Sequence, residues 1–194
     1  MKPLLENPLN LTEKDIFKPY SVEEFIQQKL KNCTLNSDGT YSSNGNVDLS
    51  DLGLTILPVK FKEVKGHFWC NNNKLISLEG APRKVGGHFW CDYNKLTSLK
   101  GAPREVKEYF DCSHNKLISL EGAPRKVGEY FDCEHNKLAS LEGAPEEVGR
   151  SFRCNNNKLT SLKGAPKEVG GYFWCYSNSV PEDELRKTIK RNYL

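Results

Sequence analysis

The sequence has no long hydrophobic run. No stretch reaches the roughly 18 consecutive apolar residues that a membrane-spanning helix needs, and hydrophobic residues make up only 37% of the chain. The first residues include Pro3, Glu6 and Pro8 and lack an apolar segment of signal-peptide length, so no secretion signal is expected. These absences predict a cytoplasmic protein that does not bind membranes.

The sequence also has little net charge and no familiar catalytic motif. Its 28 Lys and Arg against 25 Asp and Glu leave a formal charge of +3, which by itself points to no particular partner. A phosphate-binding loop, a nucleophile elbow and an H-E-x-x-H motif are all missing. We therefore expect a protein that is not an enzyme, with no small-molecule substrate.

Paired cysteine motifs are missing too, although the chain has seven cysteines. An odd number argues against a complete disulfide framework. Zinc sites usually contain C-x₂₋₄-C pairs, whereas six of these cysteines follow one another at steps of 21 residues. We interpret them as free thiols that fill a core as small hydrophobic side chains, and we expect no cofactor and no metal.

The most prominent feature is an internal repeat of 21 residues with the pattern V-x-x-x-F-x-C-x-x-N-K-L-x-S-L-x-G-A-P-x-x. The columns that recur at this step are Phe68 to Phe173, Cys70 to Cys175, Asn73 to Asn178, Leu75 to Leu159, Leu78 to Leu162, Pro82 to Pro166 and Val64 to Val169. A unit this short cannot bury its own apolar face, so the units must stack into a solenoid with a continuous core.

The x-F-x-C-x segment alternates with the period of a β-strand. Phe and Cys must then point to one side and the residues between them to the other. We predict that Phe and Cys face the core and that the intervening residues line an open parallel sheet. Seven such strands at roughly 4.8 Å each give a sheet about 34 Å wide.

The repeat resembles the leucine-rich repeat, L-x-x-L-x-L-x-x-N/C-x-L, with Phe and Cys at two strand positions. Its F-x-C, N-K-L and G-A-P segments are similar to those of short cysteine-bearing leucine-rich-repeat proteins of bacteria and their phages. The resemblance implies a curved α/β solenoid, mainly parallel β, whose concave sheet face binds a protein. In a phage protein, it further implies inhibition of a host or defence protein in the host cytoplasm.

The array is predicted to span 47–178, with one degenerate turn before six clear ones. Residues 1–46 are expected to form an N-terminal cap: a helix from a capping box at Ser21 to about Asn32, a possible helical turn from Thr12 to Phe17, and a hairpin around Gly39. Residues 179–194 are expected to form a C-terminal capping helix beginning near Pro181.

Functional residues are expected in the columns that face solvent and vary between repeats. Trp, Tyr and Arg dominate the energetics of protein interfaces, and exposed tryptophan is otherwise costly. The candidate partner-binding residues are Trp69, His88, Trp90, Asp92, Tyr93, Tyr109, Asp111, Tyr130, Asp132, Glu134, Arg153, Tyr172, Trp174 and Tyr176. The alternative interpretation is that the aromatic side chains only stack along the sheet.

Other functions stay open at this point. A basic column, Lys74, Lys95, Lys116, Lys137 and Lys158, could follow a nucleic acid, and end-to-end stacking could make the chain a scaffold. The pairs His67–His88 and His114–His135 could bind a metal near Asp132 and Glu134, although interface histidines are the preferred interpretation. Asp111 and Asp132 would lie roughly 5 Å apart on adjacent strands, as in retaining glycosidases, but an open sheet provides no pocket.

Overall fold

The structure, a computed structural model, describes Glu24 and residues 28–192, the side chains of the last helix only as far as Lys187. Half of the predicted N-terminal helix, and the predicted turn from Thr12 to Phe17, lie outside the described residues. Within the described residues, no helix is both long and apolar enough to cross a membrane.

The described part is a β-solenoid that is followed by one helix, Glu182–Asn192. The elements are β1 (Cys33–Leu35), β2 (Tyr41–Ser43), β3 (Val47–Asp48), β4 (Phe61–Val64), β5 (Phe68–Trp69), β6 (Lys84–Val85), β7 (Phe89–Trp90), β8 (Glu105–Val106), β9 (Phe110–Asp111), β10 (Lys126–Val127), β11 (Phe131–Asp132), β12 (Glu147–Val148), β13 (Phe152–Arg153), β14 (Glu168–Val169), β15 (Phe173–Trp174) and α1 (Glu182–Asn192).

The strands form two sheets, one more than the sequence predicts. The predicted parallel sheet is present: β3, β5, β7, β9, β11, β13 and β15 lie side by side in a seven-stranded sheet. The valine column lies in six strands of a second, eight-stranded sheet, whose order is β1, β2, β4, β6, β8, β10, β12, β14. Neighbouring parallel strands pair residues 21 positions apart, for example Phe110 with Phe131 and Val106 with Val127, except at a bulge where Tyr41 pairs with Phe61.

The core lies between these sheets and has the predicted orientation. Phe68, Phe89 and the phenylalanines after them stack with centroids 5.2–5.5 Å apart. The cysteines from Cys70 to Cys154 are fully buried, and all seven cysteines are free thiols. Burial raises the pKa of the Cys91 thiol well above its usual value, so the column stays uncharged and packs as predicted.

The predicted hairpin near Gly39 is confirmed. β1 pairs with β2 in antiparallel fashion, with Cys33 opposite Ser43 and Leu35 opposite Tyr41. The turn between them places Gly39 at a φ of 77°, which glycine adopts without steric cost. The hairpin lies at the end of the eight-stranded sheet, where β2 continues in parallel fashion onto β4.

The C-terminal helix α1 follows the last repeat. Its first turn is acidic, which suits the positive end of the helix dipole. The Glu184 Oε1 atom accepts a hydrogen bond of 2.7 Å from the backbone N–H of Leu162, and Leu185 packs against the core. The helix is thus tied to the final turn of the array.

Each turn is joined to the next by a buried asparagine side chain. Asn115 Oδ1 accepts the backbone N–H of Leu96 at 2.9 Å. Its Nδ2 group donates to the carbonyl of Cys91 in the preceding turn at 3.0 Å and to the carbonyl of Cys112 in its own turn at 3.2 Å. The asparagine column therefore satisfies buried backbone groups, as predicted, and does so across the boundary between turns.

We expect Asn115→Ala to lower the free energy of unfolding by at least about 2 kcal/mol, because it leaves several buried backbone groups without partners. Urea unfolding followed by circular dichroism measures this loss. Lys116→Ala, which changes an exposed neighbour, is the control and should have little effect. Equal effects of the two substitutions would contradict the assigned role of the asparagine.

Candidate functional site

The outward side of the seven-stranded sheet carries four side-chain columns, which we call the aromatic–acidic face. The columns are His67, His88, Tyr109, Tyr130, Ser151 and Tyr172; Trp69, Trp90, Asp111, Asp132, Arg153 and Trp174; Asn71, Asp92, Ser113, Glu134, Asn155 and Tyr176; and Asn72, Tyr93, His114, His135, Asn156 and Ser177. They flank the buried Phe and Cys columns, so all fourteen predicted site residues belong to this face.

Strand register places the central column in one continuous row. Trp69 lies opposite Trp90, Trp90 opposite Asp111, and Asp111 opposite Asp132. Asp132 then lies opposite Arg153, and Arg153 opposite Trp174. The face consequently has an aromatic end, an acidic centre, one arginine and a second aromatic end, in the predicted order.

The first aromatic end is a stack of two histidines and two tryptophans. The His67 and His88 rings lie 4.4 Å apart, and His88 stacks on Trp90 at 5.6 Å. The Nδ1 atom of His88 lies 3.3 Å from the Glu108 carboxylate. The indole N–H groups of Trp69 and Trp90 are covered by neighbouring atoms and have no hydrogen-bond acceptor among the described residues.

The side chains of the acidic centre are more buried than expected on an open sheet. The Asp132 side chain is only 4% exposed, and the Tyr109 hydroxyl donates to its Oδ2 atom at 3.2 Å. Arg153 Nη1 lies 3.5 Å from the same oxygen, and the backbone N–H of Glu134 donates to Oδ1 at 3.0 Å. Asp132 is therefore covered by its neighbours, so a role in binding would consist of positioning Tyr109 and Arg153.

Burial raises the pKa of three aspartates on adjacent strands. Desolvation is the main cause for each of them, and repulsion between neighbouring carboxylates adds to it. The pKa is about 6 for Asp92, about 6 for Asp111 and about 7 for Asp132. The hydrogen bond from the Glu134 amide and the charge of Arg153 oppose the rise at Asp132 without cancelling it.

The second aromatic end is the more exposed one. The Arg153 guanidinium lies 4.5 Å from the centroid of the Trp174 ring, a cation–π contact. Tyr172 stacks on Trp174 at 5.8 Å. Tyr172 and Tyr176 are 69% and 63% exposed, so this end offers large aromatic surfaces to solvent.

The fourth column of the face has a left-handed backbone that the sequence does not predict. Tyr93, His114 and His135 have φ values of 49°, 51° and 52°. Asn72 and Asn156 occupy the same position in other turns, and asparagine is among the residues that tolerate this conformation best. The bulky Tyr93, which is 52% exposed and stacks 4.2 Å from His114, is the least expected residue there.

Sequence reasoning missed three charged residues at the edge of the aromatic–acidic face. Glu108, Glu129 and Arg150 occupy a column that is glycine in the turns on either side. Arg150 Nη2 lies 3.8 Å from the Glu129 carboxylate, and Arg150 Nη1 lies 3.4 Å from the Tyr130 hydroxyl. The replacement of glycine by charge only in the middle of the array is the signal that could have identified them.

The lysine column forms a separate surface beside the face. Lys74, Lys95, Lys116, Lys137 and Lys158 are all exposed and form no ion pair within the part of the chain that the structure describes. Many lysines elsewhere are paired, for example Lys84 with Glu105 at 3.2 Å and Lys163 with Glu142 at 2.8 Å, although Lys65 and Lys107 are also exposed and form no ion pair with a described residue. A groove outside the face is lined by residues that include Lys60, Arg83 and Arg104.

No protein-family model matches the chain, and no curated protein matches it in sequence. The geometry of the face and the chemistry of its residues are therefore the basis for a functional proposal.

The three raised aspartate pKa values predict that stability falls as pH rises. A folded-state pKa above the unfolded value of 3.8 means that the folded chain holds more protons between about pH 4 and 7, so ionisation in that window favours unfolding. The lowered pKa of His114, caused mainly by burial, acts in the opposite direction. We expect Asp132→Asn to raise the free energy of unfolding at pH 8 by about 1–3 kcal/mol.

Urea unfolding of the wild-type protein and of the Asp132→Asn variant at pH 5 and pH 8 tests this expectation. The free energy of unfolding should differ less between the two pH values in the variant than in the wild type. The control is Glu121→Gln, which changes an exposed carboxylate paired with Lys100 at 3.5 Å. An Asp132→Asn protein with an unchanged pH dependence would show that this carboxylate is ionised without cost.

Proposed function

We propose that the chain is a protein-interaction module that binds a partner through the aromatic–acidic face, and that it is not an enzyme. The observation that carries the proposal is the row from Trp69 to Trp174, in which strand register holds aromatic side chains on both sides of a charged centre. Aromatic and arginine side chains arranged around a centre are typical of protein interfaces.

The exposure of the tyrosines supports this proposal. Tyr93, Tyr172 and Tyr176 each expose more than half of their surface, and they lie in three different columns of one face. Tyrosine contributes a large contact area with few rotatable bonds and a hydroxyl that can form a hydrogen bond at the edge of an interface. A partner that covers this face would bury these rings.

Stacking alone is a weaker explanation of the aromatic residues. An indole N–H without an acceptor costs about 1–3 kcal/mol, and both Trp69 and Trp90 have one. Phenylalanine at either position would stack without this cost. Tyr93 in a left-handed conformation is a second residue that stability alone does not favour.

Catalysis by the aspartate pair is also a weaker explanation. Raised carboxyl pKa values do occur at active sites. The Asp132 carboxylate, however, already accepts hydrogen bonds from Tyr109 and from the Glu134 amide and is nearly inaccessible. A glycosidase needs both carboxyl groups open to the substrate.

We also propose that the solenoid is a variant leucine-rich repeat that spans 47–178, with the hairpin region and α1 as its caps. The recurring leucines and asparagines support the first point, and the packing of Leu185 against the core supports the second. The resemblance to short bacterial and phage proteins supports a cytoplasmic location and, in a phage protein, inhibition of a host or defence protein.

A second candidate function, nucleic-acid binding, is favoured by one specific observation: the lysine column stands in register without ion-pair partners. Five such charges at roughly 4.8 Å spacing would cover about 19 Å of an anionic surface. The acidic centre argues against nucleic acid on the aromatic–acidic face itself.

For the interaction proposal, we expect Trp90→Ala and Tyr172→Ala each to weaken binding by about 30-fold or more, because each removes a large aromatic contact. The partner is captured from a lysate of the organism that carries the gene, purified, and titrated by calorimetry. Ile118→Ala is the control, since it removes an apolar side chain that lies outside the face and is about as exposed as Tyr172.

A captured protein that binds all three variants equally would argue against this face. If no partner is captured and light scattering shows mass growing with concentration, the scaffold role through end-to-end stacking is the better explanation.

For nucleic-acid binding, we expect a gel shift at low salt that disappears steeply as salt rises, because lysine–phosphate contacts release counterions. Replacing Lys95, Lys116 and Lys137 by Gln together should abolish it. The absence of any shift at low salt would remove this candidate.

A further inference from the structure

A cluster of possible metal ligands lies at one margin of the aromatic–acidic face. His114 and His135 occupy the left-handed column on adjacent turns, with ring centroids 4.3 Å apart, and Glu134 precedes His135. One ligand atom from each of the three side chains lies within 4.8 Å of the other two. Two imidazoles and a carboxylate form a donor set that zinc uses in sites with an open fourth position.

The side chains can reach the geometry that a metal requires. Zinc–nitrogen bonds of about 2.0–2.1 Å in a tetrahedral site place the ligand atoms about 3.4 Å apart, so the stacked rings must turn until their nitrogens converge. His114 is half-buried, and His135 is exposed and has only the Asn156 amide near its Nε2 atom, at 3.2 Å. The His114 ring also stacks on Tyr93 at 4.2 Å, so its rotation gives up that contact, but it breaks no side-chain hydrogen bond among the described residues.

The carboxylate is already oriented. The buried Asn155 donates from Nδ2 to Glu134 Oε2 at 3.1 Å, which leaves Oε1 for a metal. Hydrogen bonds of this kind to a ligating carboxylate are typical of metal sites.

The other histidine pair is less suited to a metal. His67 Nδ1 accepts the backbone N–H of His88 at 2.9 Å, and this is the atom nearest the Glu108 carboxylate. Both rings also stack on tryptophans. Metal binding there would break a backbone hydrogen bond and the aromatic stack.

Other turns of the repeat show which residues the left-handed position of His114 and His135 accepts when only folding matters. Asparagine serves at the same position in two turns, Asn72 and Asn156. Histidine on two adjacent turns is therefore not required by the backbone.

We propose that His114, His135 and Glu134 form a binding site for a divalent transition-metal ion of the zinc class, with its fourth position open to solvent or to a partner. This proposal does not depend on the interaction proposed for the rest of the face.

The test titrates tag-free, chelator-treated and fully reduced protein with Zn²⁺ by calorimetry and with Co²⁺ by absorption spectroscopy. We expect one site of nitrogen and oxygen ligands, without thiolate charge-transfer absorption. His114→Asn and His135→Asn, which introduce the residue used elsewhere in the column, should each reduce affinity by more than the roughly 10- to 100-fold typical of losing an outer-shell partner. Binding should weaken as pH falls, because protons compete with the metal for imidazole.

The matched control is His88→Asn, which removes a histidine from the other pair and should leave the zinc affinity unchanged. Circular dichroism and thermal melts confirm that each variant is folded. The proposal is overturned by an absence of Zn²⁺ and Co²⁺ binding, by binding that survives both column substitutions, by thiolate absorption, or by a site that His88→Asn abolishes.

Discussion

The whole solenoid depends on one interaction: a buried asparagine amide that joins consecutive turns. Asn94 accepts the Leu75 amide at 2.8 Å and donates to the Cys70 carbonyl at 3.0 Å, both in the preceding turn, and the same pattern recurs along the column. Because these bonds require every turn to close at the same point, they enforce a constant length of 21 residues. Constant length keeps both sheets in register, and register decides which side chains become neighbours on the surface.

The core was predictable because its signal is local. Alternation of Phe68, Trp69 and Cys70 defines which side chain faces inward in every turn, and the structure confirms that orientation. The eight-stranded sheet was not predictable in this way. Five of its eight strands are only two residues long, such as Lys84–Val85, and each of these five contains one apolar residue. Such strands exist through pairing with adjacent turns, which no single repeat can indicate.

The residues that make up the candidate site could be inferred from the columns, but how far each side chain is buried could not. Asp132 and Trp174 occupy equivalent positions, yet Asp132 is buried because Tyr109 and Arg153 fold over it. That depends on the reach of side chains from two neighbouring turns. The left-handed backbone at Tyr93 was missed for another reason: the asparagines and histidines of that column tolerate this conformation, but tyrosine rarely adopts it, so the residue at this position does not indicate it.

The features that stability does not explain lie close together. Tyr93 has a strained backbone, Trp90 has an indole N–H without an acceptor, and Asp92, Asp111 and Asp132 are carboxylates that burial makes costly to ionise. All belong to three consecutive turns of one face, whereas the phenylalanine and cysteine columns are uniform from turn to turn. Local departures from favourable structure that cluster on an otherwise regular scaffold are expected where function is located. A uniform core supplies the stability that lets these turns carry such residues.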